Sequence, residues 1–313
     1  MFIISPRIGL CNQLQTIVKG ILLAIKYNRN IYIDKFQIDL ESNRLADIHD
    51  ILDINKINVL LKDVIKTHIV ILNTLNTNIY SNLDKYKLPN VNYNNISDSN
   101  YINDDIELNK HMEIIYLGNI VSLCIFKSFN YSWVDYSSDN LYHVIMKNIK
   151  FNQNFYNLKD YIKQELNLTN FNCIHLRIED DAIKFFSGCY NLSCDEYNTG
   201  LINFYNNNIT CISQDKKPIY ISSGMLKFNN TININYYTTL MKNNILLCDK
   251  SNINLDAYYV NNRELIAIID LLLSYDSDLF IGSGISSFSI SVHLNHIYNK
   301  KPSTLYKINK QLL

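Results

Sequence analysis

The sequence predicts an α/β protein built from two successive parallel-sheet domains. The chain opens with an apolar strand, a polar loop, an amphipathic helix and a second apolar strand. Short apolar strands and helical segments alternate again in the second half, and several strands end in loops of glycine, serine or charged residues. Such alternation is typical of parallel sheets with crossover helices. The loops at the carboxyl ends of such strands are where ligands bind.

The opening unit is the clearest part of the first half. Ile3-Ile4 predicts a buried strand, apolar residues then recur at helical spacing from Leu14 to Ile25, and residues 31–33 predict a second strand. Residues 35–110 are polar and weakly periodic, which favours short helices and loops. Apolar order returns at residues 113–117.

The second half has the more regular alternation. A helical pattern over residues 155–166 leads into the apolar run Cys173–Leu176, which predicts a buried strand. Further strands are expected at 218–222, 245–248 and 278–282, with helices at 196–207, 234–242, 262–275 and 287–297. We predict one domain over residues 1–178, with an irregular insertion at about 35–140, and a second over 179–313.

Composition excludes several classes of function. The chain of 313 residues has 29 basic and 29 acidic residues and no net charge, so we expect no nucleic-acid partner. No apolar stretch is long enough for a leader or a membrane span, and we expect a cytoplasmic protein. The 7 cysteines are scattered without paired spacing, which supports neither a disulfide scaffold nor a zinc site.

Three loops contain candidate functional residues. The first, Pro6–Leu14, joins a strand to a helix, and its free amides suit an anion, although a lone glycine at such a turn is usually only geometry. The second follows the strand at Cys173–Leu176, where His175 and Arg177 should point to one face. Arg177 offers a planar fork of donors suited to phosphate. The alternative is a structural ion pair with Glu179 or Asp181.

The third loop, Gly282–Ser289, follows a strand and precedes a helix that begins near Ser287. Its glycines permit close approach of the backbone, and the amino end of the helix favours an anion, so the turn is a natural phosphate cradle. The alternative is that Ser287 simply caps the helix. Asp276-Ser277-Asp278 has the spacing of a carboxylate metal site, but Asp278 opens a strand, and we expect no metal there.

Together these loops resemble the protein O-fucosyltransferase superfamily, most closely its plant-type branch. Residues 9–13, Gly-Leu-Cys-Asn-Gln, look like that family's first loop, and residues 28–33 look like the strand beyond it. Residues 175–181, His-Leu-Arg-Ile-Glu-Asp-Asp, and 186–189, Phe-Ser-Gly-Cys, are similar to the plant-type signature. The stretch 219–224, Asp270, and the segments 280–282 and 286–289 resemble later family motifs.

The resemblance implies a glycosyltransferase-B fold, with two Rossmann-like domains and a cleft between them. It implies an enzyme that transfers fucose from GDP-fucose to a hydroxyl of a protein or glycan, with inversion and without a metal or other cofactor. The N-terminal domain would face the acceptor, and the C-terminal domain would bind the nucleotide sugar.

The resemblance also implies roles for residues. Arg177 would bind the diphosphate and assist departure of the nucleotide, and His175 and Asp270 would contact the nucleoside. The phosphates and the sugar would be bound by two further groups, the first being Ser286, Ser287 and the amides around Phe288, and the second Gly9, Cys11 and Asn12. The base stays open between Glu179 and Asp181, both of which could instead orient Arg177.

One residue departs from the pattern, since Asp180 stands where the plant-type signature has lysine. Some plant-type relatives use UDP-rhamnose, so a rhamnosyltransferase is an alternative. A non-catalytic scaffold that binds a nucleotide sugar and a nucleotide-sugar hydrolase are others.

Overall fold

The chain folds into two compact units, Met1–Gln153 and Asn154–Leu313. The structure is a computed structural model that describes residues 1–88, 105–119, 140–224, 232–244 and 246–306. The sequence prediction placed the boundary after residue 178. The strand at Asn172–His175 belongs with the second unit because it lies in the middle of that unit's sheet.

The first unit is centred on a four-stranded parallel sheet of order β5-β2-β1-β6. Strand β1 (Phe2–Ile4) pairs with β2 (Ile31–Ile33) on one side and with β6 (Ile115–Gly118) on the other. Helix α1 (Leu10–Lys26) makes the crossover from β1 to β2 and buries its apolar face, including Leu14, Ile17 and Ile21. This is the βαβ opening that the sequence predicts.

Shorter elements follow in the polar stretch. Strands β3 (Phe36–Asp39) and β4 (Arg44–Ala46) form an antiparallel pair, and the two-residue strand β5 (Ile71–Leu72) completes the edge of the sheet. Between β4 and β6 the described residues include α2 (Ile48–Ile51), α3 (Ile54–Asp63), α4 (Thr77–Tyr80) and a 3₁₀ helix (Leu83–Tyr86), and α5 (Asn140–Asn148) follows β6. The predicted insertion at 35–140 therefore includes strands of the central sheet.

The second unit is centred on a five-stranded parallel sheet of order β11-β10-β7-β8-β9. Its strands are short and, except at the edges, buried along their length; they are β7 (Asn172–His175), β8 (Ile219–Ser222), β9 (Leu247–Cys248), β10 (Phe280–Ser283) and β11 (Ser303–Tyr306). The predicted strands are thus confirmed in place, and β11 is an addition. Its pattern of serine, threonine, leucine and tyrosine gave little sign of an edge strand.

Helices connect these strands. The helices of the second unit are α6 (Gln153–Glu165), α7 (Asp180–Tyr190), α8 (Cys194–Ile212), α9 (Ile234–Asn243), α10 (Ala257–Val260), α11 (Arg263–Asp276) and α12 (Ser287–Tyr298). Helix α8 begins with a capping box between Ser193 and Glu196, and α7 ends at Asn191 in the left-handed conformation. No helix in the described part of the chain is long and apolar enough to cross a membrane.

Candidate functional site in the second unit

The strand order of the second unit identifies where a ligand would bind. From β7 the sheet extends through β8 and β9 on one side and through β10 and β11 on the other, so the order reverses between β7 and β10. In open parallel sheets the crevice at the carboxyl ends of such strands is the usual ligand site. Two of the loops singled out from the sequence, after His175 and after Ser283, flank this point.

His175 ends β7 and is fixed by contacts with the start of α12. Its Nδ1 lies 2.7 Å from Ser289 Oγ, and its ring lies against Phe288 with 4.5 Å between the ring centroids. Ser289 Oγ also accepts a hydrogen bond from the Ser283 amide at 3.1 Å. Gly282 makes room for this serine, because a Cβ there would lie 2.4 Å from Ser289 Oγ. The imidazole is therefore held in one orientation by the neighbouring loop.

Burial keeps this imidazole neutral. Burial first, and then the positive charges of Arg177, Lys250 and Arg263, lower the pKa of His175 to about 3. A neutral ring that accepts or donates at one nitrogen can still offer its other nitrogen to a ligand.

Arg177 lies in the loop between β7 and α7 and is bound by two carboxylates. Its guanidinium is 2.7 Å from Glu179 Oε2 and 3.0 Å from Asp181 Oδ2. The Glu179 side chain is 2% exposed and its other oxygen accepts a hydrogen bond from the Gly224 amide at 2.8 Å, whereas the Asp181 side chain is 59% exposed. Glu179 is therefore a fixed partner, and Asp181 can rotate into solvent.

The charges of Arg177, Glu179 and Asp181 shift the pKa values of Arg177 and Asp181. Burial alone would lower the pKa of Arg177, but the neighbouring carboxylates of Glu179 and Asp181 outweigh it and raise that pKa. Burial opposes the shift at Asp181, where the Arg177 charge and hydrogen bond nevertheless lower the pKa. Both ion pairs that the sequence left as alternatives are present. The ion pair with exposed Asp181 is still compatible with phosphate binding, because a phosphate could replace Asp181 at the Arg177 guanidinium.

The turn from β10 to α12 brings serine hydroxyls and backbone amides to the amino end of a helix. Ser286 is the residue before the helix and makes no side-chain capping hydrogen bond. Its amide is bonded to the Ser283 carbonyl at 3.2 Å, and the Gly284 amide to the Tyr306 carbonyl at 2.8 Å. The helix does begin at Ser287, as predicted, but Ser287 is its first residue and not its cap. An anion at this turn would meet unpaired first-turn amides.

Asp270 is buried and hydrogen-bonded within the second unit. It lies within α11, 5% exposed, and accepts hydrogen bonds from Tyr220 Oη at 2.7 Å and from Lys250 Nζ at 2.7 Å to each oxygen. A carboxylate bound in this way is already paired, so its charge is balanced inside the unit. The role predicted for Asp270 remains a prediction.

The carboxylates of Asp276 and Asp278 form ion pairs with lysines. Asp276 Oδ2 is 2.8 Å from Lys159 Nζ and 3.0 Å from Lys163 Nζ, and Asp278 Oδ2 is 2.7 Å from Lys217 Nζ. Within the described residues, no group of three histidine, cysteine, aspartate or glutamate side chains is arranged to hold a metal ion. The six cysteines in the described ranges are all free thiols.

In the first unit, the loop singled out from the sequence lies between β1 and α1. Gly9 is the residue before the helix, and the amides of Asn12 and Gln13 both donate to its carbonyl. Asn12 Oδ1 is buried and accepts no hydrogen bond from the described residues. The Cys11 side chain is 2% exposed, so it packs into the core of the unit.

Two residues of the site escaped the sequence analysis. Ser289 lies within a predicted motif without a role of its own, yet it holds His175 from 114 residues away. Lys250 follows the short edge strand β9, and no local pattern connects it with Asp270. A buried lysine must have a partner, but the sequence does not show that Lys250 is buried.

Comparison with known proteins gives the fold. No protein-family model matches the chain, and no curated protein does. Solved structures match over nearly the whole length. POFUT1 in complex with GDP-fucose is 13% identical, covers 98% of both chains and has a TM-score of 0.57. Its apo form gives 13% identity, the same coverage and a TM-score of 0.56.

A bacterial structure matches as well. Fucosyltransferase NodZ from Bradyrhizobium is 11% identical, covers 93% of this chain and 91% of its own, and has a TM-score of 0.52. At such low identities the likeness is one of fold. The chain therefore has the glycosyltransferase-B fold of these fucosyltransferases, as the resemblance implied.

Proposed function

We propose that the protein is an inverting, metal-independent glycosyltransferase that moves fucose from GDP-fucose to a hydroxyl of a glycan or protein. The observation that carries the proposal is the position of Arg177 at the carboxyl end of β7, where the strand order reverses. Its guanidinium has one fixed partner, Glu179, and one exposed partner, Asp181. Support also comes from the fold, since POFUT1 with that fold has been solved in complex with GDP-fucose.

The chemistry follows from the charge that develops in the reaction. As the bond between the sugar and the phosphate breaks, negative charge grows on the diphosphate. A preorganised cation in a water-poor site stabilises that charge more than water would. Arg177 supplies the cation and Glu179 fixes its orientation. We propose that Asp181 swings into solvent when the diphosphate binds, and that Ser286 and Ser287 with the Phe288 amide hold the remaining phosphate oxygens.

The other predicted residues take supporting positions in this proposal. Neutral His175 offers its free ring nitrogen to the nucleoside, and Asn12 with the amides near Gly9 contacts the sugar. No metal is assigned a role, because Arg177 and the helix amino end provide the positive charge that a divalent ion would supply elsewhere. We expect turnover in excess EDTA to equal turnover with added Mg²⁺ or Mn²⁺.

Variants of Arg177 test the proposal. Release of GDP from GDP-fucose should be followed with a panel of glycan and peptide acceptors. Arg177→Ala should lower kcat by about 10²- to 10³-fold, the usual loss when one such donor is removed. Arg177→Lys keeps the charge but not the planar fork, so its kcat should lie between those of the wild type and Arg177→Ala. Lys217→Ala, which removes an exposed cation paired with Asp278, is the matched control and should leave turnover unchanged.

Other outcomes select among the alternatives. Turnover with UDP-rhamnose alone would identify a rhamnosyltransferase. Turnover that no acceptor increases would identify a hydrolase. Wild-type turnover in Arg177→Ala would remove the central residue of the proposal and favour a protein that binds a nucleotide sugar without transferring it.

A further inference from the structure

The loop between β1 and α1 contains a backbone conformation that its own residue disfavours. Ile8 has a φ of 75°. A β-branched side chain is a genuine outlier in this left-handed region, because its Cβ crowds the backbone. A conformation of this kind persists only where its surroundings hold it, and such positions cluster at functional sites. The question is what holds Ile8.

Two glutamine side chains bind both backbone groups of Ile8. The Ile8 amide donates to Gln37 Oε1 at 2.8 Å, and the Ile8 carbonyl accepts from Gln13 Nε2 at 2.8 Å. Gln37 lies on β3 and Gln13 in the first turn of α1. Neither contact could form if Ile8 relaxed to an ordinary conformation, because its amide and carbonyl would then point elsewhere.

The two glutamines are also bound to each other. Gln13 Oε1 accepts a hydrogen bond from the backbone amide of Gln37 at 2.8 Å, and Gln13 Nε2 donates to the backbone carbonyl of Gln37 at 2.8 Å. Gln13 is 0% exposed and Gln37 is 4% exposed. A buried primary amide with its oxygen and nitrogen both bonded is a rigid link. We call this arrangement of Gln13, Gln37 and Ile8 the glutamine clamp.

The clamp lies next to a polar atom that lacks a partner. Asn12 precedes Gln13, and its buried Oδ1 accepts no hydrogen bond from the described residues. Orphan buried acceptors are uncommon in native proteins and call for an explanation. A sugar hydroxyl, as a hydrogen-bond donor, is the chemical group that would satisfy it.

From these contacts we infer that Gln13 and Gln37 are positioning residues, which hold Ile8 in its strained conformation so that Gly9 and Asn12 meet the sugar of the donor. The inference rests on the proposed function. It assigns a function to the hairpin of β3 and β4, because strand β3 positions Gln37 beside Ile8. It also predicts that the clamp affects the sugar and not the nucleotide.

The test combines a loss with a specific rescue. Gln37→Ala removes the acceptor of the Ile8 amide and should lower kcat/KM for GDP-fucose about 10- to 100-fold, the loss typical of a misplaced contact group. Its affinity for GDP should stay within about twofold of wild type, because GDP has no sugar to transfer. Ile8→Gly in the Gln37→Ala background should restore most of kcat/KM, since glycine adopts a positive φ without crowding.

A matched control separates the clamp from general damage to the hairpin. Asn43 accepts from Gln37 Nε2 at 2.8 Å and has a φ of 54°, so Asn43→Gly removes that contact without strain. This variant leaves both bonds to Ile8 and should keep wild-type kcat/KM. The inference is overturned if Gln37→Ala retains wild-type kcat/KM, or if Ile8→Gly restores none of a loss.

A second readout keeps this inference distinct from the proposed function. Hydrogen exchange of the Ile8 amide should be slow in the wild type and at least tenfold faster in Gln37→Ala. If the wild-type protein turns over no nucleotide sugar, the proposed function fails. Fast exchange in the wild type would instead overturn the clamp, whatever the activity.

Discussion

Gly282→Ala should destabilise the second unit through one side chain. The new Cβ would lie 2.4 Å from Ser289 Oγ, 2.8 Å from Ser289 Cβ and 2.9 Å from Phe280 Cε1. Ser289 must then move, which breaks its contacts with His175 Nδ1 and the Ser283 amide. Overpacking of a core costs about 1–3 kcal/mol, and each lost hydrogen bond costs about 0.5–1.5 kcal/mol. The free energy of unfolding should therefore fall by about 2–6 kcal/mol.

Urea denaturation followed by far-UV circular dichroism measures this change. Gly188→Ala is the matched control, because nothing lies within 4 Å of a Cβ at Gly188, inside α7. That substitution should stabilise by up to about 1 kcal/mol, the difference in helix propensity. Ser289→Ala added to Gly282→Ala removes the nearest atom and should recover only part of the loss. Wild-type stability of Gly282→Ala would refute the close packing of Gly282 on Ser289.

Three further predictions concern charge. The pKa of His175 is lowered to about 3, so the imidazole stays neutral in the folded protein while the unfolded chain binds a proton below about pH 6.5. The free energy of unfolding should therefore fall as pH decreases from that value towards 3. In urea titrations, His175→Gln should make this fall less steep by up to about 1.4 kcal/mol per pH unit. The same pH dependence in His175→Gln and wild type would contradict the prediction. Lys250→Met should cost about 3–5 kcal/mol of unfolding free energy because the buried Asp270 carboxylate loses its cation and keeps only the hydrogen bond from Tyr220. Adding Asp270→Asn should recover part of this loss. Wild-type stability of Lys250→Met would count against the pair. Asp181→Asn should tighten GDP binding by up to about fivefold in calorimetric titration, since an exposed ion pair is worth about 0.2–1 kcal/mol. Glu179→Gln should weaken it. Weaker binding by Asp181→Asn would show that Asp181 is not the exchangeable partner.

Local pattern explains which parts of the fold were predictable. Helix α1 and strands β1 and β2 follow from apolar spacing, and the buried strands β7, β8 and β10 follow from continuous apolar runs. Strand β11 was missed because a half-exposed edge strand leaves no apolar run, whereas β5 was missed although it ends the short apolar run at residues 69–72. The hairpin of β3 and β4 was missed although Phe36, Ile38 and Leu40 alternate with polar residues, which is the pattern of a half-buried strand.

The residues of the site also divide into those that the local sequence predicts and those that it does not. His175, Arg177 and the Gly-Ser turn were predicted because each lies at or just beyond the carboxyl end of a strand. The contacts that orient them were not predictable, because His175 meets Ser289 across 114 residues and Lys250 meets Asp270 between a strand end and a helix. Gln13 stood within a predicted motif, but only the structure pairs it with Gln37.

The central claim is that the protein binds a guanosine diphosphate sugar without a metal. The most direct measurement is the thermal stability of the purified protein in EDTA with GDP, GDP-fucose, UDP and UDP-rhamnose. A ligand at 100 times its dissociation constant should stabilise the folded protein by about 2.7 kcal/mol. The account predicts a rise in Tm with GDP and GDP-fucose, and a smaller one for both in Arg177→Ala. No rise with either guanosine ligand would contradict it.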